Sequence, residues 1–430
     1  MNRRNFVGAA AAASVSLHAA DKRLAVVGGA PVRTEPFPSW PKVGALEEKA
    51  MLDVVRSGKW FRGWGKQVER FEQQYARLTG ARHCLATANG TSALFTALNA
   101  LGVEPGDEVI LPPYTFVATL NVIFLQHAVP VFVDSDLDTF QIDAKKIDGA
   151  ITARTKAIMP VHLGGNAADL DAILAIGAKS GIPVIEDACQ AHLGEWRGRK
   201  LGTLGAAGAF SFQNSKNLNS GEGGAVLSND EGIIERCYAF HNNGRPRRAA
   251  ADGFSYTASG ANLRMTEFQA AILMAQMSRL EEQARMRDQN AAYLTSMLGE
   301  IPGIHPAKQY PGCTRNAYHL YMFRYEPAQF AGRPRSVFLK ALQAEGIPAS
   351  SGYSPLNEEP FVKAALTTRA YRDVNFAKWQ ERNRCPVNNR LCGEGVWLSQ
   401  QTLLATRRDM DQIAEAVRKV QSLAAELPSA

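Results

Sequence analysis

Lys216 is the residue with the clearest capacity for covalent chemistry. It lies in the polar loop QNSKNLNSGEGG, between the apolar runs GAFSF and GAVLS. A lysine that forms a Schiff base must be partly desolvated or close to other cations, because only its neutral amine is nucleophilic. The GEGG stretch lets the backbone approach a ligand closely, and Ser211, five residues before Lys216, offers a hydroxyl. On this loop alone, a solvated lysine in a glycine-rich turn is an equally weighted interpretation.

Asp187 is the second candidate, at the end of the apolar run in VIEDACQAH. Ligands of open α/β sheets lie beyond the carboxyl ends of the strands, so this carboxylate is expected to face a site. A carboxylate there could keep a pyridine nitrogen protonated, and the protonated ring would withdraw electrons from a carbanion. A helix-capping aspartate is the alternative.

Gly90, Thr91 and Ser92 form the third candidate group, where a strand turns through Asn89-Gly90 into a helix. The N-terminus of a helix offers free N–H groups and a favourable dipole, which suit a phosphate. A simple helix cap is the more frequent explanation of such a segment. The order of the three segments, with 216 − 187 = 29 residues between the acid and the lysine, favours pyridoxal phosphate: one group each for its aldehyde, ring nitrogen and phosphate.

The motifs around these residues identify a family resemblance. NGTSAL, PPYTFVATLN, PVHLGG, EDACQAH, FSFQNSKNLNSGEGGAV and GANLRMTEFQAA closely resemble those of the DegT/StrS sugar aminotransferases, which are pyridoxal-phosphate enzymes of fold type I. The resemblance runs from about Leu24 to near the C-terminus. GGAPVR, FSFQNSK and VWLSQQTLL look most like the branch of the scyllo-inosose aminotransferases and 3-amino-5-hydroxybenzoate synthase.

The resemblance implies a role for each matching residue. Lys216 would be the Schiff-base lysine and proton carrier, and Asp187 would pair with the pyridinium. Gln190 would bind the ring hydroxyl and Phe116 would stack on the ring, although the alternative of a core phenylalanine stays open. Gly90, Thr91, Ser92 and Ser211 would hold the phosphate, and Asn262 would reach the phosphate of a neighbouring subunit, which implies a homodimer with shared sites.

The implied reaction is a ping-pong transfer of an amino group from glutamine or glutamate to a keto-cyclitol or keto-sugar. His319 and Tyr353 are candidate substrate contacts, with a packing role weighed equally. Asn166-Ala167 and Asn389 depart from the family's commoner residues. The rivals are a dehydratase or aminohydroxybenzoate-type synthase and a non-catalytic protein that binds pyridoxal phosphate or a sugar. The retained lysine argues against the dehydratase and against the non-catalytic protein, and the aminohydroxybenzoate-type reaction stays open.

The elements that must position these residues alternate along the chain. Amphipathic helices are expected at 44–57, 67–78, near 144–151 and near 168–180, with short apolar strands between them. This pattern predicts an α/β fold of the aspartate-aminotransferase type, with a mostly parallel sheet covered by helices. A long helix from Met265 to about Leu298 would lead from a large domain (23–300) to a smaller α+β domain (301–430).

Composition excludes several function classes. The net charge of +7 is spread along the chain with no basic stripe, so a nucleic-acid partner is not expected. The six cysteines have no metal-ligand spacing, and no metal is expected; Cys385 and Cys392 are interpreted as buried thiols, although export would allow them to pair. Residues 1–22, with Arg3-Arg4 before an alanine-rich run too short to span a membrane, favour a twin-arginine export signal and a periplasmic location. The alternative is a basic leader on a cytoplasmic enzyme.

Overall fold

A computed structural model describes residues 23–247 and 255–428, so the predicted leader lies outside the described residues. Fourteen strands occur in that part of the chain: β1 His83–Thr87, β2 Glu108–Leu111, β3 Val129–Phe132, β4 Thr155–Ile158, β5 Ile185–Asp187, β6 Glu195–Trp196, β7 Arg199–Lys200, β8 Ala207–Ser211, β9 Gly224–Ser228, β10 Ile304–Pro306, β11 Cys313–Arg315, β12 Leu320–Tyr325, β13 Ser350–Ser351 and β14 Gly395–Ser399.

Twelve α-helices occur in the same residues, together with several short 3₁₀ turns: α1 Ala45–Ser57, α2 Gln67–Thr79, α3 Gly90–Ala100, α4 Val117–Leu125, α5 Leu170–Ser180, α6 Glu231–His241, α7 Glu267–Leu298, α8 Arg335–Ala344, α9 Pro360–Leu366, α10 Phe376–Arg382, α11 Pro386–Glu394 and α12 Arg407–Ser422.

The large sheet is mostly parallel, as predicted. Its strands run in the order β3-β2-β4 and β5-β8-β9-β1, and the parallel bridges Ile158↔Val184 and Val161↔Asp187 join the two parts. Only β9 runs against its neighbours β8 and β1. The helices that connect the strands supply the apolar side chains that cover the sheet, which is why its central strands are buried on both faces. The predicted α/β fold class is confirmed.

Local capping groups set the starts of the helices that matter for the site. The Asn89 side chain accepts a hydrogen bond from the Ser92 backbone N–H and caps α3. Thr266 and Gln269 form a reciprocal capping box at the start of α7. α7 continues for 32 residues, close to the long helix predicted from Met265 to Leu298.

The prediction of a helix near 144–151 is wrong. The structure has two short 3₁₀ turns there, Ala144–Lys146 and Asp148–Ala150. Asp143 accepts a hydrogen bond from the Lys145 backbone N–H, which favours a local turn over a continued helix. Gly149 further lowers helix propensity in the second turn.

A second, antiparallel sheet in the order β10-β12-β14-β13 carries the C-terminal core with α8 and α12. Hydrophobic packing crosses the predicted boundary at residue 300 in both directions. Leu24 belongs to the core of the second sheet, whereas Val362 and Trp379 pack with the large sheet. The division into domains at 300 stays a prediction.

Cys385 and Cys392 are buried free thiols, which confirms that interpretation of the pair. The small sheet β11-β6-β7 had no counterpart in the predicted elements, because its strands of two or three residues carry no readable periodicity. Within residues 23–247 and 255–428, no helix has the length and apolar character needed to cross a membrane.

Candidate functional site

Lys216, Asp187 and the start of α3 meet at one cavity of about 630 Å³. Pairing of β5 with β8 in parallel places Asp187 opposite Ala209, so the carboxyl ends of both strands open on the same side. The lining residues are Asn89, Gly90, Thr91, Leu94, Thr115, Phe116, Ala118, Thr119, Val161, Asp187, Cys189, Gln190, Ser211, Gln213, Ser215, Lys216, Glu222, His319, Leu320, Tyr353 and Trp397.

Lys216 is held in a tight loop and largely withdrawn from solvent. Its backbone N–H donates to the Gln213 carbonyl at 2.8 Å. Burial lowers the pKa of the Lys216 amine, and the nearby Cys189 and Asp187 only partly oppose that shift. A lowered pKa increases the fraction of neutral amine available to a carbonyl compound. The loop therefore supplies the desolvation that the sequence analysis required of a Schiff-base lysine.

Asp187 is buried, at 4% exposure, and both of its oxygens have protein donors. Oδ1 accepts from the Cys189 backbone N–H at 3.2 Å. Oδ2 accepts from Thr119 Oγ1 at 2.8 Å. The Thr119 hydroxyl lies 3.0 Å from Thr115 Oγ1; because Thr119 uses its proton on Asp187, Thr115 is the donor in that second bond. The two hydroxyls fix the plane of the carboxylate toward the cavity.

Glu186, adjacent to Asp187, points to the opposite side of β5 and is fully buried. It accepts from the backbone N–H groups of Gly202, Leu204 and Gly205, each at 2.7 Å, and from His162 Nε2 at 2.9 Å. Burial alone would raise the pKa of Glu186, but these donors outweigh it and lower the pKa. This network anchors the strand end that carries Asp187.

The amide of Gln190 has a fixed orientation. Its Oε1 accepts from the Gly164 backbone N–H at 2.7 Å, so its Nε2 is the end left for donation. Nε2 donates to Tyr353 Oη at 3.2 Å and keeps a second proton for a ligand oxygen. Gly164 has φ +67°, and a Cβ there would lie 2.7 Å from Met322 Cε, so only glycine gives this N–H its direction.

Gly90 allows α3 to approach β8. A Cβ at Gly90 would lie 2.6 Å from the Ser211 Cβ, so any other residue would push the helix start away from Ser211. Gly90, Thr91 and Ser211 line the cavity together. Ser92 differs from the prediction: its backbone N–H is bonded to Asn89 Oδ1 at 2.8 Å, and it is not among the lining residues of the described chain.

Ser211 is positioned from behind by His192. Because a carbonyl only accepts, His192 Nε2 donates to the Ser211 carbonyl at 2.9 Å, and Nδ1 accepts from the Tyr75 hydroxyl at 3.1 Å. Burial lowers the pKa of His192 to about 3, so the ring is neutral at physiological pH and this donor–acceptor pattern persists.

Phe116 and Asn262 are both exposed, so neither is a core residue. Phe116 lines the cavity with 55% of its surface exposed, so the alternative of a core phenylalanine is wrong. Asn262 is exposed and forms an antiparallel bridge with Asn242. It does not line the cavity formed by the described residues of one chain.

His319 and Tyr353 both line the cavity. His319 is buried, and burial together with the Lys216 charge lowers its pKa well below the usual value, so it is neutral; its Nδ1 lies 3.4 Å from Asn217 Oδ1. The departures Asn166 and Asn389 are not lining residues: Asn166 donates to the Lys308 carbonyl and Asn389 to Glu358.

Sequence reasoning missed two lining residues with clear chemistry, Thr119 and Trp397. Thr119 lies one helical turn after Thr115 in the quoted PPYTFVATLN segment, so the i, i+4 spacing of two hydroxyls was a readable signal. Trp397 lies in the alternating run VWLS of β14, where an aromatic residue is indistinguishable from an ordinary strand residue.

The sequence profile of the DegT/DnrJ/EryC1/StrS aminotransferase family matches residues 42–418. This chain belongs to that family. Its residues also fit the cofactor that the family implies: a partly desolvated lysine for an aldehyde, a buried carboxylate with spare acceptor capacity for a ring nitrogen, and a helix start with Ser211 for a phosphate. The chain is thus an aminotransferase of the pyridoxal-phosphate class.

Individual relatives cover nearly the whole chain. A putative L-glutamine:3-amino-2,3-dideoxy-scyllo-inosose aminotransferase of Streptoalloteichus tenebrarius is 41% identical over 406 residues, which span 92% of this chain and 97% of that protein. The L-glutamine:2-deoxy-scyllo-inosose aminotransferase of the same organism is 39% identical over 414 residues, with 92% and 97% covered.

The fold is also that of a solved relative. The crystal structure of 3-amino-5-hydroxybenzoic acid synthase superposes with a TM-score of 0.83 at 34% sequence identity, over 91% of this chain and 100% of that one. The predicted aspartate-aminotransferase-type fold is confirmed by this similarity.

Replacing Thr119 by valine is expected to weaken pyridoxal-phosphate binding about ten- to hundredfold, because Asp187 loses a charge-assisted hydrogen bond of roughly 1.5–3 kcal/mol. Titration of the apoprotein, followed by the cofactor's visible absorbance, measures the affinity. Thr119→Ser should restore it. Thr96→Val is the matched control, since the buried Thr96 hydroxyl has no hydrogen-bond partner among the described residues; equal weakening by both valine variants would contradict the role of Thr119.

Proposed function

We propose that this enzyme transfers an amino group from glutamine or glutamate to the ketone of a cyclitol or a similar unactivated keto-sugar, by a ping-pong mechanism. The observation that carries the proposal is the convergence of Lys216, Asp187 and Ser211 on one cavity, in a chain whose relatives are named as glutamine-dependent aminotransferases of keto-cyclitols.

Each group then has a defined task. Pyridoxal phosphate, when bound, supplies an electron-withdrawing ring that keeps the transferred nitrogen between the two half-reactions. Lys216 Nζ would hold the cofactor at its carbonyl carbon and would serve as the group that moves the proton at the substrate carbon that carries the nitrogen. Asp187 would keep the ring nitrogen protonated, and Gln190 Nε2 would donate to the ring oxygen. Gly90, Thr91 and Ser211 would hold the phosphate, and Phe116 would cover the ring.

The charges of the cavity favour a neutral acceptor. Among the described lining residues, Lys216 is the one cation, because His319 is neutral. A nucleotide diphosphate is normally held by several arginine or lysine side chains, and the lining instead adds the acid Glu222 and the apolar or aromatic Val161, Leu320, Tyr353 and Trp397. These groups suit the uncharged ring of a cyclitol better than a nucleotide-linked sugar.

Replacing Lys216 by alanine is expected to abolish turnover and borohydride-trappable cofactor, because no other amine of the cavity lining replaces its Nζ. The measurement mixes holoprotein with glutamine or glutamate and follows the change from the pyridoxal to the pyridoxamine absorbance. Lys179→Ala, at an exposed lysine paired with Asp148, is the control. Full activity of the Lys216 variant would refute the proposal. The pyridoxamine form is then mixed with keto-cyclitols and with nucleotide-linked keto-sugars. If it reacts with a nucleotide-linked keto-sugar and with no keto-cyclitol, the proposed class of acceptor is refuted.

We further propose that the enzyme is a homodimer with shared active sites. An exposed apolar surface surrounds α1 and the loop after it. Trp64, the most exposed member, has 72% of its surface accessible, and patches of this kind mark protein–protein contacts. The exposed Asn262, matched by the resemblance to a residue that reaches the neighbouring phosphate, fits the same arrangement. The surface comprises Val43, Leu46, Leu52, Val55, Trp60, Phe61 and Trp64.

Subunit complementation tests the shared site. Asn262→Ala alone is expected to bind cofactor weakly, and Lys216→Ala alone to be inactive. Mixed dimers of the two variants should recover about a quarter of wild-type activity, since half of the dimers contain one site with both residues intact. The control uses Asn389→Ala in place of Asn262→Ala. This variant should be active by itself, before it is mixed with Lys216→Ala. Absence of recovery in the first mixture would contradict a shared site.

For residues 1–22 we propose a twin-arginine export signal, supported by Arg3-Arg4 and the small-residue run that follows. A fusion of these residues to a folded reporter should reach the periplasm and remain in the cytoplasm when both arginines become lysines. Cell fractionation measures the distribution. If the fusion with both arginines intact stays in the cytoplasm, the proposed export signal is contradicted.

A further inference from the structure

His319 lies directly before β12 of the second sheet, and its side chain lines the cavity. It is 7% exposed, so protein encloses nearly the whole ring and the remainder is in contact with the cavity. The proposed function gives this residue no task. Its imidazole is a polar group inside the site that is separate from the residues assigned to the cofactor.

Asn217, the residue after Lys216, fixes the protonation of the His319 ring. The Asn217 Nδ2 donates to the Ala317 carbonyl at 2.7 Å, and the amide cannot turn over without losing this bond. Its Oδ1 is therefore the atom that lies 3.4 Å from His319 Nδ1. Because an amide oxygen only accepts, Nδ1 is the ring nitrogen that carries the proton.

The ring carries only that one proton. Burial and the nearby Lys216 charge lower the pKa of His319 well below its usual value, so the imidazole is neutral at physiological pH. Nε2 is then unprotonated. In this tautomer Nε2 accepts a hydrogen bond and cannot donate one.

Nε2 is also the end of the ring that a ligand can reach. It has no hydrogen-bond partner in the described part of the chain, yet it is not one of the enclosed, unpartnered atoms such as His83 Nε2. An unpartnered atom that is not enclosed is accessible, and the space that His319 borders is the cavity. The site therefore presents an uncharged acceptor whose proton donor must arrive with a ligand.

The cofactor offers no proton to this acceptor. In the proposed arrangement the ring nitrogen would donate to Asp187, and the aldehyde, ring oxygen and phosphate would accept. The carboxylates of glutamine and glutamate carry no proton at neutral pH either. A neutral polyol ring, by contrast, carries hydroxyl donors on most of its carbons. The lone pair of Nε2 therefore favours contact with the amino acceptor.

We propose that His319 is a specificity-determining residue for the amino acceptor, because its Nε2 accepts a hydrogen bond from a ring hydroxyl of a neutral keto-cyclitol. Since Asn217 follows Lys216, that hydroxyl lies on the lysine side of the cavity. This inference rests on the proposed function, because it assigns one of the two substrates of the same cavity. It places the action of His319 in the acceptor half-reaction and not in the donor half-reaction.

Two substitutions separate the two ring nitrogens. His319→Asn keeps an N–H donor near the Nδ1 position, within reach of Asn217, and removes the acceptor at Nε2. His319→Gln places an amide oxygen near the Nε2 position and gives up the bond to Asn217. If Nε2 binds the substrate, the asparagine variant is defective and the glutamine variant is largely restored. A ring that serves only to pack against Asn217 predicts the opposite order.

The measurement uses the pyridoxamine form, prepared from apoprotein and pyridoxamine phosphate. For His319→Asn, the apparent KM for 2-deoxy-scyllo-inosose and the dissociation constant of scyllo-inositol, an unreactive polyol, are expected to rise about tenfold, the range of one lost hydrogen bond. For His319→Gln, both should stay within about threefold of the unmodified enzyme. The reaction of the pyridoxal form with glutamine or glutamate should change by less than about a factor of two in either variant.

His305→Asn is the matched control, because it removes an imidazole that is 43% exposed and paired with Glu326. It should change neither half-reaction. Equal losses in both half-reactions of His319→Asn, or a normal His319→Asn beside an impaired His319→Gln, would make His319 a packing residue and overturn the proposal. A loss confined to the reaction with glutamine would assign Nε2 to the carboxamide of the amino donor and overturn it as well.

A second measurement is made on the unmodified enzyme. In the pyridoxamine form labelled with ¹⁵N-histidine, His319 should show one protonated and one unprotonated ring nitrogen, and scyllo-inositol should shift the unprotonated one. These resonances are the ones absent from His319→Asn. A protonated Nε2, or no shift, overturns the proposal. If the unmodified pyridoxal form reacts with neither glutamine nor glutamate, the proposed function fails, whereas scyllo-inositol binding still tests His319.

Discussion

The site depends on how one short strand buries two consecutive carboxylates. Glu186 and Asp187 point to opposite faces of β5, so each is neutralised by a different set of donors. Glu186 receives three backbone N–H groups and His162 inside the fold. Asp187 receives one hydroxyl and one backbone N–H, and its remaining lone pairs face the cavity. A buried carboxylate with spare acceptor capacity favours a ligand that brings a proton donor to it, such as a protonated ring nitrogen.

The other proposed cofactor contacts follow from the geometry around that strand. Parallel pairing with β8 brings Ser211 and the Lys216 loop to the same edge, and Gly90 lets the start of α3 approach Ser211. Among the supporting groups behind these residues, His192 behind Ser211 is neutral, whereas the Glu186 carboxylate is held by three backbone N–H groups and His162. The rigidity of the site thus comes from buried hydrogen bonds and not from lysine or arginine ion pairs.

Sequence reasoning located the principal site residues because their motifs are local. The lysine loop, the strand-end aspartate and the glycine turn can each be read within a dozen residues, and all three border the cavity. Ser92 could not be separated from Thr91, because the competition of Asn89 for its N–H depends on the side-chain rotamer. Trp397 could not be found, because its place in the cavity lining depends on the pairing of β14 with Met322 and Ser350, which lie 75 and 47 residues earlier in the chain. The helix expected near 144–151 failed because polar side chains there form turns with their own backbone.

The contact between Gln190 and Tyr353 has a consequence for motion. Gln190 follows β5 of the large sheet, whereas Tyr353 follows β13 of the second sheet, and the amide of Gln190 cannot turn because Gly164 holds its oxygen. A displacement of the second sheet would therefore remove a hydrogen-bond partner from an amide that also lines the cavity. By thermodynamic linkage, a ligand that binds the Gln190 amide in this same orientation and the contact of that amide with Tyr353 stabilise each other.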